Sequence, residues 1–422
     1  MVITVFLRNL NSDFLHLRKL RFQTFFESRR KGSTAVLSGG EGFLGCLGNG
    51  TFEAQIEGFG PIVGLPEENV MKVAAGWAHS AAVTESGALY VWGRPYDFKN
   101  VLRLNNMHTA SSIMAKLANA FSSKEEVLLV PKLMVESGVR DVTCSAGLTA
   151  AVTDNGEVFC FGQNRWGQCG VKSTKNKPAI HVYTPSKVQG LDGIFISKVS
   201  LGFQHALALT EEGALYSWGK GERGQLGDGK DENRDNAVRV ELGKDAPASQ
   251  ISTGFNHSAA ITEEGELYVW GKSLSSELKS QSQVAQVDVY HDQLLPRLVP
   301  LPSKASELHC SSFQTTVRLD TGDIWSLGMA HDSRSSLVDP VLVYMNEERK
   351  DWTLKGCIHD TILYNGIKME EGIFTLKLGH QGGEFSPLQK HEACFQSLEN
   401  LPSAKEYQVY LGWKHALVLV KM

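Results

Sequence analysis

Five histidines of this 422-residue chain fall at one recurring position: His79, His205, His257, His359 and His415. Histidine is the commonest general base, but a catalytic histidine is single and has its own orienting partner. Five equivalents point to hydrogen bonding between neighbouring strands or sheets. Residues 40–45 and 219–224 both match G-x-G-x-x-G. A dinucleotide site needs that motif between a strand and a helix. Here it follows a strand and recurs within a repeat, so its glycines read as tight turns. Residues 265–273 resemble a P-loop with one residue too many between the glycines. Cys46, Cys144, Cys160, Cys169, Cys310, Cys357 and Cys394 contain no CxxC pair. An odd number so widely spread is no disulfide framework and suits a reducing compartment. The neighbours Cys357 and His359, or His309 and Cys310, fall short of a metal-ligand set. With no carboxylate pair and no nucleophile beside a base, the chain reads as non-enzymatic, without metal or cofactor.

The elements that carry these residues repeat. Gly76-Trp77-Ala78-His79-Ser80 leads through Thr84 to Trp92-Gly93. Gly202-Phe203-Gln204-His205 leads through Thr210 and Gly213 to Trp218-Gly219, and Gly254-Phe255-Asn256-His257 through Thr262 and Gly265 to Trp270-Gly271. A fourth copy keeps Thr153, Gly156 and Phe161-Gly162 but has Leu148 in place of histidine. Two weaker copies hold Gln314, Gly322 and Leu327-Gly328, then Gly356, His359, Gly372 and Leu378-Gly379. Each copy is a set of short apolar or alternating segments separated by glycine turns, which predicts β-strands. Copies begin at 76, 145, 202, 254, 311, 356 and 412. A period of about 50 residues suits one four-stranded propeller blade. Trp92, Trp218 and Trp270 are expected in the core.

The two ends complete one copy. Gly412-Trp413-Lys414-His415 stops at Met422 without its second half, and residues 35–48 supply only that half. The expectation is an all-β, seven-bladed β-propeller over residues 34–422, its ring closed by pairing of the N- and C-terminal segments, which leaves no open sheet edge. The run Gly219-Lys220-Gly221-Glu222-Arg223-Gly224-Gln225-Leu226-Gly227 follows Trp218. Together these motifs resemble the regulator of chromosome condensation repeat family. The resemblance implies a seven-bladed propeller. Family members include a nuclear exchange factor for a small GTPase, a plant ultraviolet-B photoreceptor and mitochondrial proteins of RNA processing, ribosome assembly or GTPase regulation. The photoreceptor repeats a Gly-Trp-Arg-His-Thr run. Here the position after glycine holds Trp77 and Trp413, but also Ala146, Phe203, Phe255 and Cys357, and the arginine is absent. Photoreception is therefore disfavoured.

Two copies break the pattern after Trp-Gly, with insertions at 94–129 and 272–300. The first combines Arg94, Tyr96, Phe98, Arg103 and Lys116 with Ile113, Met114, Leu117, Ala118 and Phe121, which share one helical face. Long loops on a rigid scaffold are where function concentrates. Arg94, Tyr96, Phe98, Arg103, Lys116, Leu117 and Phe121 are thus the expected partner-binding residues; the same apolar face would also serve simply to pack on the propeller rim.

Residues 1–33 hold seven of the 42 basic residues and two of the 46 acidic ones, interleaved with apolar residues. That profile is a mitochondrial transit peptide, or a basic arm that stays on the protein. Without this segment the formal net charge moves from −4 to −9. Such a balance fits a protein partner better than a polyanion, so direct RNA contact is not indicated. No run is long and apolar enough to span a membrane as a helix. The expected function is a mitochondrial matrix scaffold for protein–protein interaction, supporting RNA processing or ribosome assembly. The alternative is a guanine-nucleotide exchange factor for an organellar GTPase; a nuclear or cytoplasmic location is the alternative to the matrix.

Overall fold

Short strands with glycine turns have to pair locally, and they do so as meanders. The structure is a computed structural model. It describes residues 33–40, 42–53, 55–94, 127–171, 180–243, 246–272, 292–311, 314–329, 336–344, 352–358, 361–366, 373–377, 380–381, 384–385, 406–412 and 415–421. Blade 1 is Val70–Ala75, His79–Thr84, Leu89–Gly93 and Leu128–Val135, named strands a to d, paired antiparallel in chain order. Blades 2 to 5 repeat this plan, starting at Val139, Ile196, Ala248 and Ala305. Blade 6 shows three strands, Trp352–Ile358, Thr361–Gly366 and Ile373–Lys377, among the described residues. Its Ile358 pairs with Thr361, a tighter a–b connection than in blade 1, where Ala75 pairs with Ser80. The one helical element among the described residues is a 3-10 turn, Phe43–Gly45.

Blade 7 joins the ends of the chain. Glu406–Leu411 and His415–Lys421 supply strands a and b, and Thr34–Gly40 and Gln55–Pro61 supply c and d. Thr34 opposes Lys421 and Gly40 opposes His415, the register in which Gly93 opposes His79. Blade 7 packs on blade 1 through Glu406–Leu411 and His415–Lys421 against Val70–Ala75, so the ring of seven closes.

Burial follows strand position. The b strands His79–Thr84, His205–Thr210 and His257–Thr262 are buried along their whole length. Their alanines, Ala81, Ala82, Ala206, Ala208, Ala259 and Ala260, are fully enclosed, because a small side chain lets adjacent blades approach. The a strands of blades 1 to 5 each carry a bulge at the second residue. In three of them a serine caps it: Ser197 Oγ donates to Leu209 O, Ser249 Oγ to Ile261 O and Ser306 Oγ to Arg318 O. The outer d strands of blades 1, 2 and 4 are partly exposed and contain Pro131, Pro185 and Pro296, and that of blade 5 contains Pro340. Proline has no N–H to offer an approaching strand, which protects an open edge.

Candidate functional site

The repeated histidine is held by two features of its own turn. Gly76 sits under the His79 ring; a Cβ there would lie 2.9 Å from ring Cε1 and 2.6 Å from Ser145 O of blade 2. The ring then reaches the next blade. His205 Nε2 lies 2.9 Å from Ser258 Oγ, and Ser258 Oγ donates to Gln225 O at 2.9 Å. The same carbonyl accepts from Trp270 Nε1 at 3.1 Å. Gln225 belongs to the Gly-Gln-Leu-Gly loop after strand c of blade 3, while Ser258 and Trp270 belong to blade 4, so this is a staple between blades. Across the chain ends the staple recurs: His415 Nε2 lies 2.8 Å from Ser80 Oγ, and Cys46 O accepts from Ser80 Oγ and Trp92 Nε1, both at 2.9 Å.

In the seam between blades 2 and 3 both halves of the staple have changed. Blade 2 has Leu148 for histidine, and the blade 3 residue it would meet is Ala206 for serine. Trp218 Nε1 still donates to Gln168 O at 3.0 Å in that seam. Blades 1 and 4 carry the insertions and lack the Gly-Gln-Leu-Gly carbonyl. The blades that follow them hold buried Phe161 and Leu327 at the tryptophan position, neither with an N–H to satisfy. His79 Nε2 lies 3.0 Å from Thr149 Oγ1 in the first of these seams. Burial, with the neighbouring His415 second, holds His79 down at about 3, and burial with His257 second does the same for His205. Burial holds His257 and His415 at about 4. These rings are neutral at physiological pH and enclosed, which does not suit proton transfer to a substrate.

The staple residues define which end of the ring carries the insertions. Gly93, Gly219 and Gly271 end strand c opposite His79, His205 and His257. Both insertions therefore leave from the end of the ring where the a–b turns lie. On that end three half-buried aromatics come together at the axis. Phe203 and Phe255 stack at 3.9 Å with their planes 19° apart. Trp77 reaches Phe203 at 5.2 Å and Phe255 at 5.9 Å. It spans from blade 1 to blade 3 because blade 2 offers only the fully buried Ala146. Trp77 N donates to Ser145 O and Phe203 N to Gly254 O, each 3.3 Å, so the backbone under the rings is fixed by the next blade. Further out, Trp166 takes the repeat position of Arg223. Lys220 Nζ lies 4.6 Å from its ring centroid and Arg165 Cζ 5.4 Å.

The expected partner-binding residues fare differently. Tyr96, Phe98, Arg103, Lys116, Leu117 and Phe121 lie outside the described residues, as does His359. Arg94 is described and is enclosed at 1% exposure, with its N–H donating to Ala78 O at 2.8 Å. Arg94 follows Gly93, the last residue of strand c, and its enclosed side chain is not presented to a partner in the way the partner-binding expectation supposes. The aromatic cluster escaped the sequence reading because Phe203 and Phe255 count there only as departures from tryptophan. Their shared position, directly after the turn glycine, is the signal that places them at the axis.

Residues 30–317 match the RCC1-like domain model, and the chain belongs to that family. Two relatives are the ultraviolet-B receptor UVR8 of Arabidopsis thaliana, 30% identical over 212 residues, and the mitochondrial RCC1 domain-containing protein RUG3 of the same plant, 32% identical over 209. Each match covers 50% of this chain, and 42% and 43% of the relative, so the match spans less than half the length of either. Human WBSCR16 has the same fold, with a TM-score of 0.69 at 18% identity over 92% of this chain and 99% of that one. Prp20p of Saccharomyces cerevisiae, whose structure is described with its binding to Gsp1p and histones, gives 0.64 at 16% identity over 93% of each chain.

Proposed function

We propose that this chain is a non-enzymatic mitochondrial scaffold whose insertion-bearing face docks a protein partner of RNA processing or ribosome assembly. The observation that carries this reading is the cluster of Trp77, Phe203 and Phe255 at the axis of the end from which both insertions leave. Half-buried aromatics on a fixed backbone give contact area at small entropic cost, which is how interface anchors are built. The basic, acid-poor composition of residues 1–33 and the likeness to mitochondrial RUG3 support import into the organelle. The expected bounds 94–129 and 272–300 shorten, because Leu128–Val135 and Gln293–Val299 are the d strands of blades 1 and 4; the insertion residues before those strands would flank the cluster and supply the remaining contacts.

The exchange-factor reading draws on the shared fold of Prp20p and its binding to Gsp1p. Exchange requires no acid–base residue, only a surface that favours the nucleotide-free conformation of the partner. Purification of the tagged full chain from mitochondria separates the two. Co-purifying RNA-processing or ribosome-assembly factors support the scaffold. A GTPase recovered in their place supports exchange, and recovery of neither sinks both.

A further inference from the structure

We propose a second docking surface on the opposite end of the ring: a carboxylate-lined groove on blade 3 that takes an extended, basic segment of a protein partner with an apolar residue beside its Lys or Arg. This surface is independent of the insertion-bearing face. It begins in the repeat itself. The b–c turns read Glu85-Ser86-Gly87, Asp154-Asn155-Gly156, Glu211-Glu212-Gly213, Glu263-Glu264-Gly265 and Asp320-Thr321-Gly322. The third position needs glycine, since Gly213 has φ of 80° and its equivalents are similar. The first two need only be polar, yet each of the five turns carries at least one carboxylate. They all lie at the end of the b strands away from the histidines, because Leu209 opposes Leu215 there. Lys187 pairs with Glu157 and Asp192, and Lys304 with Glu264. Asp154, Glu211, Glu212 and Glu263 have no ion-pair partner among the described residues. This end of the ring therefore attracts cations at long range.

Blade 3 adds a depression to that field. The connections on its two sides, residues 188–195 and 241–247, are longer than those after blades 1 and 4, residues 136–138 and 300–304. The described residues of these connections, with the turn at Gly213 and Arg239–Val240, line an open depression of 680 Å³. Phe195, Leu242 and Pro247 are among its apolar lining residues, and Glu212, Arg239 and Glu241 are its charged ones. Arg239 Nε donates to Glu241 at 2.6 Å and offsets that carboxylate's charge, which leaves Glu212 as the unpaired carboxylate of the lining. Apolar side chains beside the unpaired Glu212, on an end of the ring lined with carboxylate turns, suit an apolar side chain flanked by a cationic one, with the apolar part supplying affinity and the charges orientation.

The test uses the purified full chain and fluorescein-labelled nonapeptides in which Arg or Lys alternates with Leu or Phe, against the same peptides with Glu for the basic residues. Fluorescence anisotropy should show binding of the basic set alone, weakening as salt rises. The double variant Glu212→Lys with Glu241→Lys should weaken it about tenfold or more. Asp231→Lys, on the insertion-bearing end, should leave binding unchanged, and both variants should melt like the parent. The proposal is overturned if the basic set does not bind, if the acidic set binds equally, or if Asp231→Lys weakens binding as much as the groove pair. It is also overturned if the groove pair dissociates a self-dimer, which would make a second copy the occupant. None of these outcomes depends on mitochondrial import or on the aromatic cluster, so failure here leaves the scaffold reading standing, and the reverse.

Discussion

The Gln225 carbonyl accepts from Ser258 and Trp270 at once, and both donors are in the following blade. Trp270→Phe removes one donor and also leaves a gap where the larger indole packed, so it should cost at least about 1–3 kcal/mol in chemical denaturation. A cost near zero would show that neither the hydrogen bond nor the indole's packing holds the seam. The Leu148 and Ala206 pair gives a sharper test. Leu148→His buries a ring with no partner and should destabilise. Adding Ala206→Ser supplies the hydroxyl, so the double variant should be more stable than the sum of the singles, with coupling of about 0.5–3 kcal/mol. The buried histidines set a pH dependence. Their folded values of about 3 to 4 lie below the ordinary 6.5, so the unfolded chain binds more protons between those limits. Stability is then full above about pH 6.5 and lost as pH falls toward 3. At pH 5 each ring costs on the order of 2 kcal/mol. Asp141, whose carboxyl burial pushes up, opposes the trend in part. Urea midpoints should fall steeply from pH 7 to 5, with a smaller slope in His205→Gln. These bonds were not legible one by one, since their partners lie up to 335 residues apart. They were legible as paired changes among copies.

Strands b and c were readable because they carry the apolar runs, the turn glycines and the Trp-Gly ends. The d strands were harder, since they are half-exposed and hold Pro131, Pro185 and Pro296, residues that ordinarily argue against a strand. Each proline falls where the c–d register shifts, so no ladder bond is lost. The insertions were legible as interruptions, and the ring shows how blades 2 and 5 accommodate them, through Phe161 and Leu327. If the first insertion binds a partner rather than stabilising the ring, Arg103→Ala with Lys116→Ala should weaken partner recovery and leave the melt within about 0.5 kcal/mol of the parent. Leu117→Ser with Phe121→Ser should do the same; a lowered melting temperature would place that apolar face on the rim. Arg94→Ala should behave in the opposite way. Its enclosed side chain makes it a stability variant, detected by melting rather than by binding.

Closure could be inferred from sequence because the two ends hold complementary halves of one repeat, and the seam it creates is chemically the same as the one between blades 3 and 4. His415, Ser80, Cys46 and Trp92 reproduce the staple of His205, Ser258, Gln225 and Trp270. Removing residues 412–422 therefore does two things. It leaves Thr34–Gly40 without the strand that pairs along its whole length, and it strips Ser80 of its histidine. The truncated chain should aggregate or elute as a mixture in size-exclusion chromatography, since an apolar edge is open. A circular permutant separates the need for this pairing from the need for an intact chain order. Thr34 and Lys421 are direct partners, so a short flexible linker joins the ends without strain. New ends between Lys230 and Asp231 fall in an exposed, polar stretch outside any strand. That permutant keeps every strand pair and every staple, so it should melt within a few degrees of the parent. If it unfolds while the truncation stays monomeric and stable, the terminal strands are not what holds the ring shut.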